Sequence, residues 1–183
     1  MAEIEAQQAW AALKEADRLY SSAEVEQALD RMADEITARL ADRDPLLVCI
    51  LNGGVVPFGK LLTRLNFPLT TDYIHATRFG SALHCAELNW VGGPHQVPRG
   101  RSVLLVDDIF DEGATLAAIV DQYLHGYARE IFTAVLVTKD RERTLALRPD
   151  FSGLTVPNRY VFGYGMDYKG YLRNANGIFA EKD

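Results

Sequence analysis

The run Val103-Leu-Leu-Val-Asp-Asp-Ile-Phe-Asp-Glu-Gly-Ala-Thr-Leu116 constrains the fold of this chain more than any other stretch. Val103–Val106 is short, apolar and uninterrupted, the pattern of a strand covered on both faces of a parallel sheet. From Leu116 the apolar positions fall at Ile119, Val120, Tyr123 and Leu124, the spacing of an amphipathic helix over 115–125. Between strand and helix lies a tight loop that carries acids and a glycine. Such a unit is an anion cradle, because the first amides of a helix lack intrahelical acceptors and the dipole is positive there. The carboxyl end of a central strand is also where open α/β sheets bind ligands.

The residue types sharpen this. Amides from Asp111 onward suit a phosphate, whereas Asp107 and Asp108 repel one and must serve another purpose. Neighbours in extended chain point to opposite faces, so these two are not expected to share a proton. They suit a sugar diol or a hydrated Mg²⁺. A ligand with a phosphate, a ribose diol and a metal-bound anionic group satisfies every part, and phosphoribosyl pyrophosphate is one. VLLVDDIFDEGATL resembles the ribose-phosphate motif of type I phosphoribosyltransferases. The bland alternative is a set of solvated loop acids behind a core strand. Asp111, Gly113 and Thr115 at loop spacing, followed at once by a helix, count against it.

The rest of the chain alternates in the same way. Residues 3–41 read as two helices, with Ser21 and Glu24 spaced as a capping box ahead of Val25, Leu29, Met32, Ile36 and Leu40. Leu46–Leu51 is a buried strand, followed by Asn52-Gly53-Gly54 and a helix including Phe58, Leu61, Leu62 and Leu65. Pro68–Thr77 reads as a strand and Gly80–Arg101 as a mobile loop or hairpin. Glu130–Thr138 is a strand ending at Lys139, 149–157 a connector and Tyr160–Phe162 another strand. Ile178-Phe179 lies in a short final stretch. Strands alternating with helices imply an α/β fold with a central, mainly parallel sheet flanked by helices.

One domain of 183 residues is expected, and 48% hydrophobic composition supports one well-filled core. A net charge of −6 argues against nucleic-acid binding, which needs a basic face. No apolar run is long enough for a membrane span, and MAEIEAQQAW lacks signal-peptide features, so a cytoplasmic protein is expected. Of the two cysteines, Cys49 reads as a buried thiol. Gly54-x₄-Gly59-Lys60 matches a nucleotide-binding P-loop and suggests a nucleotidase. Leu61 then stands where the Mg²⁺-ligating hydroxyl belongs, and Pro57 removes an amide from the cradle.

PDF-x-G at 149–153, P-x-x-Y-V-x-G-Y-x-x-D-Y at 157–168 and Y-x-R ending at Arg173 are similar to the C-terminal half of hypoxanthine-guanine phosphoribosyltransferases. This resemblance covers roughly residues 22–180. It implies the type I phosphoribosyltransferase fold, with N-terminal helices over 1–41 and a mobile loop over 78–101. A small hood formed by terminal segments, with a purine-binding segment, would span 149–183. It also implies transfer of phosphoribose from phosphoribosyl pyrophosphate to hypoxanthine or guanine, with Mg²⁺, in a homodimer or homotetramer. Asp107 and Asp108 would hold the ribose hydroxyls and Mg²⁺, and Asp111 would act as base or acid at purine N7. Amides of Asp111, Glu112, Gly113, Ala114 and Thr115, with the Thr115 hydroxyl, would clasp the 5′-phosphate. Lys139 would donate to the purine 6-oxo group, Tyr160 would stack on the ring, and the Val161 and Asp167 carbonyls would accept from its far edge. The Asp167 side chain would help carry a second Mg²⁺. Arg173 and the Leu51-Asn52-Gly53 loop, with a cis Leu51–Asn52 bond, would bind pyrophosphate. Asn52 departs from the family's usual lysine, and Arg78-Phe79 from its usual Ser-Tyr. A nucleotide-sensing regulator on the same fold is the alternative, disfavoured by Asp111, Lys139 and Arg173.

Overall fold

The computed structural model describes residues 5–78, 88–125 and 128–182. Six strands form the main sheet: β2 (Leu46–Leu51), β3 (Thr70–Arg78), β4 (Leu88–Gly92), β5 (Ser102–Phe110), β6 (Glu130–Asp140) and β7 (Phe151–Pro157). Their order is β4-β3-β2-β5-β6-β7, parallel throughout except for β4, which folds back antiparallel on β3. After β2 the chain moves to one side to make β3, then returns to make β5 on the other. The carboxyl ends of β2 and β5 therefore flank a topological switch point.

Alternation along the central strands builds two cores. Leu104 and Val106 face α2 (Ser22–Leu40) and α3 (Val55–Leu62), together with Leu29, Met32, Ile36 and Leu61. Val103 and Leu105 face α4 (Ala114–His125), with Leu116, Ile119 and Tyr123. Each fully buried Leu or Ile stabilises the fold by about 1.5–3 kcal/mol relative to exposure. The capping box forms as expected, with the Ser21 hydroxyl accepting from the Glu24 amide while the Glu24 carboxylate takes the Ser21 amide at 2.8 Å.

Several expectations need correction. A short strand, β1 (Asp17–Ser21), separates α1 (Ala6–Glu15) from α2 and pairs with β9 (Gly177–Ala180), which also pairs with β8 (Val161–Phe162). These three make a second, small sheet whose partners are far apart in sequence. The expected connector at 149–157 contains β7, because its backbone finds a ladder along β6 that sequence alone does not display. Strand β5 continues through the acids to Phe110, since β6 keeps pairing with it as far as Thr138. The loop after it is correspondingly short. Helix α3 stops at Leu62, although Leu65 is still buried. Within 78–101, antiparallel pairing of β4 with β3 agrees with the hairpin alternative, and residues 79–87, Phe79 among them, lie outside the described residues.

A polar network ties α2, α3 and the C-terminal segment together. Glu26 accepts from Arg64 at 2.6 Å, from the Tyr164 hydroxyl at 2.9 Å and from Lys60. Lys60 is therefore a structural cation inside a helix, not part of a phosphate loop. Burial alone would raise the Glu26 carboxyl, but these three donors bring it down from 4.5 to about 2. A depressed carboxyl contributes stability that is complete above its unfolded value and lost as pH falls through the folded one. Glu26→Gln is thus expected to cost about 1–2 kcal/mol at neutral pH, allowing for partial exposure, and less as pH falls from 4.5 towards 2. Urea midpoints against pH for both proteins check this; parallel curves would refute it.

Candidate active site

A cavity of about 390 Å³ opens at the switch point, lined by Leu51 at the end of β2 and Gly53 just beyond it, by 107–116 from the end of β5 into α4, and by Asp167 and Arg173. Most of the expected site residues meet here. Leu51–Asn52 is a cis peptide. Gly53 is needed for a reason the sequence hid: a Cβ there would sit 2.0 Å from Asp108 Oδ2, so the carboxylate lies directly against bare backbone. Gly113 has φ +85°, and a Cβ would come 2.5 Å from the Phe110 ring. That turn aims the first amides of α4 at the cavity.

The two adjacent acids end up buried or half-buried at the cavity wall. Both line the cavity, and Asp107 turns back to accept the Asp108 amide at 2.9 Å. Burial, then the Asp108 charge, pushes Asp107 well above the usual carboxylate value, and burial raises Asp108 as well. Beneath them the Cys49 thiol is buried and pushed up to about 12, first by desolvation and then by both acids. Arg173 reaches across the cavity mouth. It contacts Asp167 Oδ1 at 2.6 Å and Asp108 Oδ2 at 4.0 Å, and donates to the Gly165 carbonyl at 2.6 Å.

Asp111 sits where the loop begins, between two cations. Lys139 Nζ lies 2.7 Å from Oδ2 and Arg141 Nη1 2.7 Å from Oδ1. Burial alone would raise this carboxyl, but hydrogen bonds from Lys139 and Arg141 hold it below its ordinary value. Arg143 donates through Nε to the Asp111 carbonyl at 2.6 Å, reaches the Phe110 and Lys139 carbonyls, and lies over the Phe110 ring. Arg141 and Arg143 were missed in the sequence. Their signal was there in Lys139-Asp-Arg-Glu-Arg143, where alternate positions of an extended chain present three cations to one side.

Other expected residues lie off the cavity lining. Tyr160 is exposed, edge-on to Tyr168 at 5.6 Å, and Val161 is buried in the small sheet. Asn52 is exposed. Among the described residues no cluster of three or more His, Cys, Asp or Glu forms a metal cage. Hard carboxylate oxygens at 107 and 108 nevertheless fit Mg²⁺ that keeps most of its waters and is shared with substrate phosphates.

Comparison with known proteins agrees with this geometry. The Phosphoribosyl transferase domain model matches residues 15–169. A bifunctional TilS/HprT protein of Listeria innocua is 31% identical over 157 residues, covering 85% of this chain. This chain spans only 24% of that relative's length. A hypoxanthine-guanine phosphoribosyltransferase of Streptococcus pneumoniae is 30% identical, with 85% of this chain and 87% of the relative covered. A solved hypoxanthine-guanine-xanthine phosphoribosyltransferase superposes with a TM-score of 0.84 at 28% identity, covering 93% of this chain and 99% of the other. With that family model matching across most of its length, the chain belongs to the phosphoribosyl transferase domain family.

Proposed function

We propose that the protein is a purine salvage enzyme that transfers phosphoribose from phosphoribosyl pyrophosphate to hypoxanthine or guanine, giving IMP or GMP. The observation that carries this reading is the 2.7 Å contact between Lys139 Nζ and Asp111 Oδ2, beside the cavity that residues 111–115 line. The 6-oxo group and N7 are neighbours on one edge of a 6-oxopurine. A donor and a carboxylate side by side match that edge.

In this reading the amides of 111–115 and the Thr115 hydroxyl hold the 5′-phosphate, while Asp107 and Asp108 accept from the ribose diol. Purine N9 attacks C1′ as the bond to pyrophosphate breaks, and the N7 proton passes to Asp111. Arg173 and the Leu51-Asn52-Gly53 backbone receive the departing pyrophosphate. Tyr160 and the Val161 and Asp167 carbonyls would complete the purine pocket. Mg²⁺, held by Asp107 and Asp108 with Asp167 near a second ion, would offset charge on the leaving group. A cytoplasmic homodimer or homotetramer completes the proposal, since a phosphorylated sugar is retained where it is made.

Incubation with phosphoribosyl pyrophosphate, Mg²⁺ and each purine tests it. IMP and GMP are expected to form; absence of turnover with both hypoxanthine and guanine would overturn it. Nucleotide binding without turnover would favour a sensor.

A further inference from the structure

Gly53 is confined from two sides. A Cβ on Gly53 would meet Asp108 Oδ2 at 2.0 Å, and a Cβ on Gly165 would meet the Gly53 carbonyl oxygen at 2.2 Å. The 163–166 turn therefore rests bare backbone on the loop assigned to pyrophosphate. Gly165 also accepts from Arg173 Nη1 at 2.6 Å. One residue thus spaces the two elements that would share that ligand. The loop moves as a unit under this pressure, because the Gly54 amide bonds the Ile50 carbonyl at 2.9 Å and the Val55 amide reaches the Asn52 carbonyl at 3.3 Å.

Tyr164 anchors the 163–166 turn. Its φ of +46° is a left-handed conformation that residues with a side chain disfavour, so the turn needs a restraint. The ring is buried in the core shared with α2 and α3, with Lys60 Nζ 5.5 Å from its centroid. The hydroxyl donates to Glu26 Oε1 at 2.9 Å and lies 3.3 Å from Asn176 Oδ1. Burial and Glu26 push this hydroxyl up to about 12, so it remains a donor at neutral pH. Glu26 is in turn gripped by Lys60 and Arg64. We propose that Tyr164, through its hydroxyl bond to Glu26, is the positioning residue that sets the gap between the Leu51-Asn52-Gly53 loop and Arg173, and with it the fit of pyrophosphate. This rests on the pyrophosphate site assigned above and deepens it. Tyr164 acts through Gly165 and lies off the cavity lining. Without the hydroxyl the turn relaxes, Gly165 shifts against Gly53, and a ligand loses what its pyrophosphate group contributes.

Phosphoribosyl pyrophosphate and ribose 5-phosphate differ by the pyrophosphate alone. Calorimetry of each on the full chain, with Mg²⁺ and no purine, isolates that group. Tyr164→Phe keeps the ring and is expected to weaken phosphoribosyl pyrophosphate about tenfold and ribose 5-phosphate by less than about twofold. Glu26→Ala gives the same pattern, and combining the two substitutions adds little, because both cut one link. A merely structural role would shift both ligands together or lower only the thermal midpoint. An unchanged ratio of the two affinities in Tyr164→Phe, or additive losses in the double variant, overturns the role of Tyr164. If Tyr164→Phe does not fold, the same ratio in Glu26→Ala decides. A native protein that binds phosphoribosyl pyrophosphate no better than ribose 5-phosphate would instead overturn the pyrophosphate site itself.

Discussion

Asp111→Asn is expected to lower kcat by about 10²–10⁴-fold with the KM for phosphoribosyl pyrophosphate nearly unchanged. The amide keeps the shape of the carboxyl but cannot take the N7 proton. Its oxygen can still accept from one of the two cations, whereas its NH₂ must face the other. The 38% exposure of the native side chain lets water soften that mismatch. Folding should therefore survive. Because Lys139 and Arg141 hold the native carboxyl below its ordinary value, protonation of Asp111 should not limit the rate anywhere near neutral pH. Its acidic limb belongs below the usual carboxylate range. Steady-state kinetics across pH check both statements. An equal loss in kcat and in phosphoribosyl pyrophosphate affinity would mean that Asp111 only holds the loop in shape.

Adenine is expected to be a poorer substrate than hypoxanthine by about 10⁴-fold or more in kcat/KM. Lys139 is the reason. Its ammonium is mostly enclosed and already spends one N–H on Asp111, leaving two that can meet a ligand carbonyl. A 6-amino group presents hydrogens to those hydrogens, and a buried donor left unpaired is costly. Competition between the two bases in one assay measures the ratio. Comparable turnover of both would remove Lys139 from the purine edge.

The cradle was legible because it is local. A β-branched run, a glycine that must adopt positive φ and a helix period occupy fourteen consecutive residues, and each names its own conformation. Gly53 was legible as a functional glycine but for only half its reason: its closest neighbour, Asp108, lies 55 positions later. The small sheet was not legible. Asp17–Ser21 has no strand character of its own and becomes one only when Gly177–Ala180 arrives beside it. The same holds for β7, whose ladder is supplied by β6, and for Lys60, whose P-loop spelling is cancelled by Glu26 on another helix.

By itself, then, the order of residues determined the layered α/β architecture, the phosphate cradle and the types of side chain available for chemistry, since these follow from periodicity and turn geometry over short spans. Only the tertiary structure decided the electrostatics: that burial raises both Asp107 and Asp108, that Arg173 bridges Asp108 and Asp167, and that Asp111 lies between Lys139 and Arg141. Charge interactions depend on distance and desolvation, and both are set by which strands become neighbours.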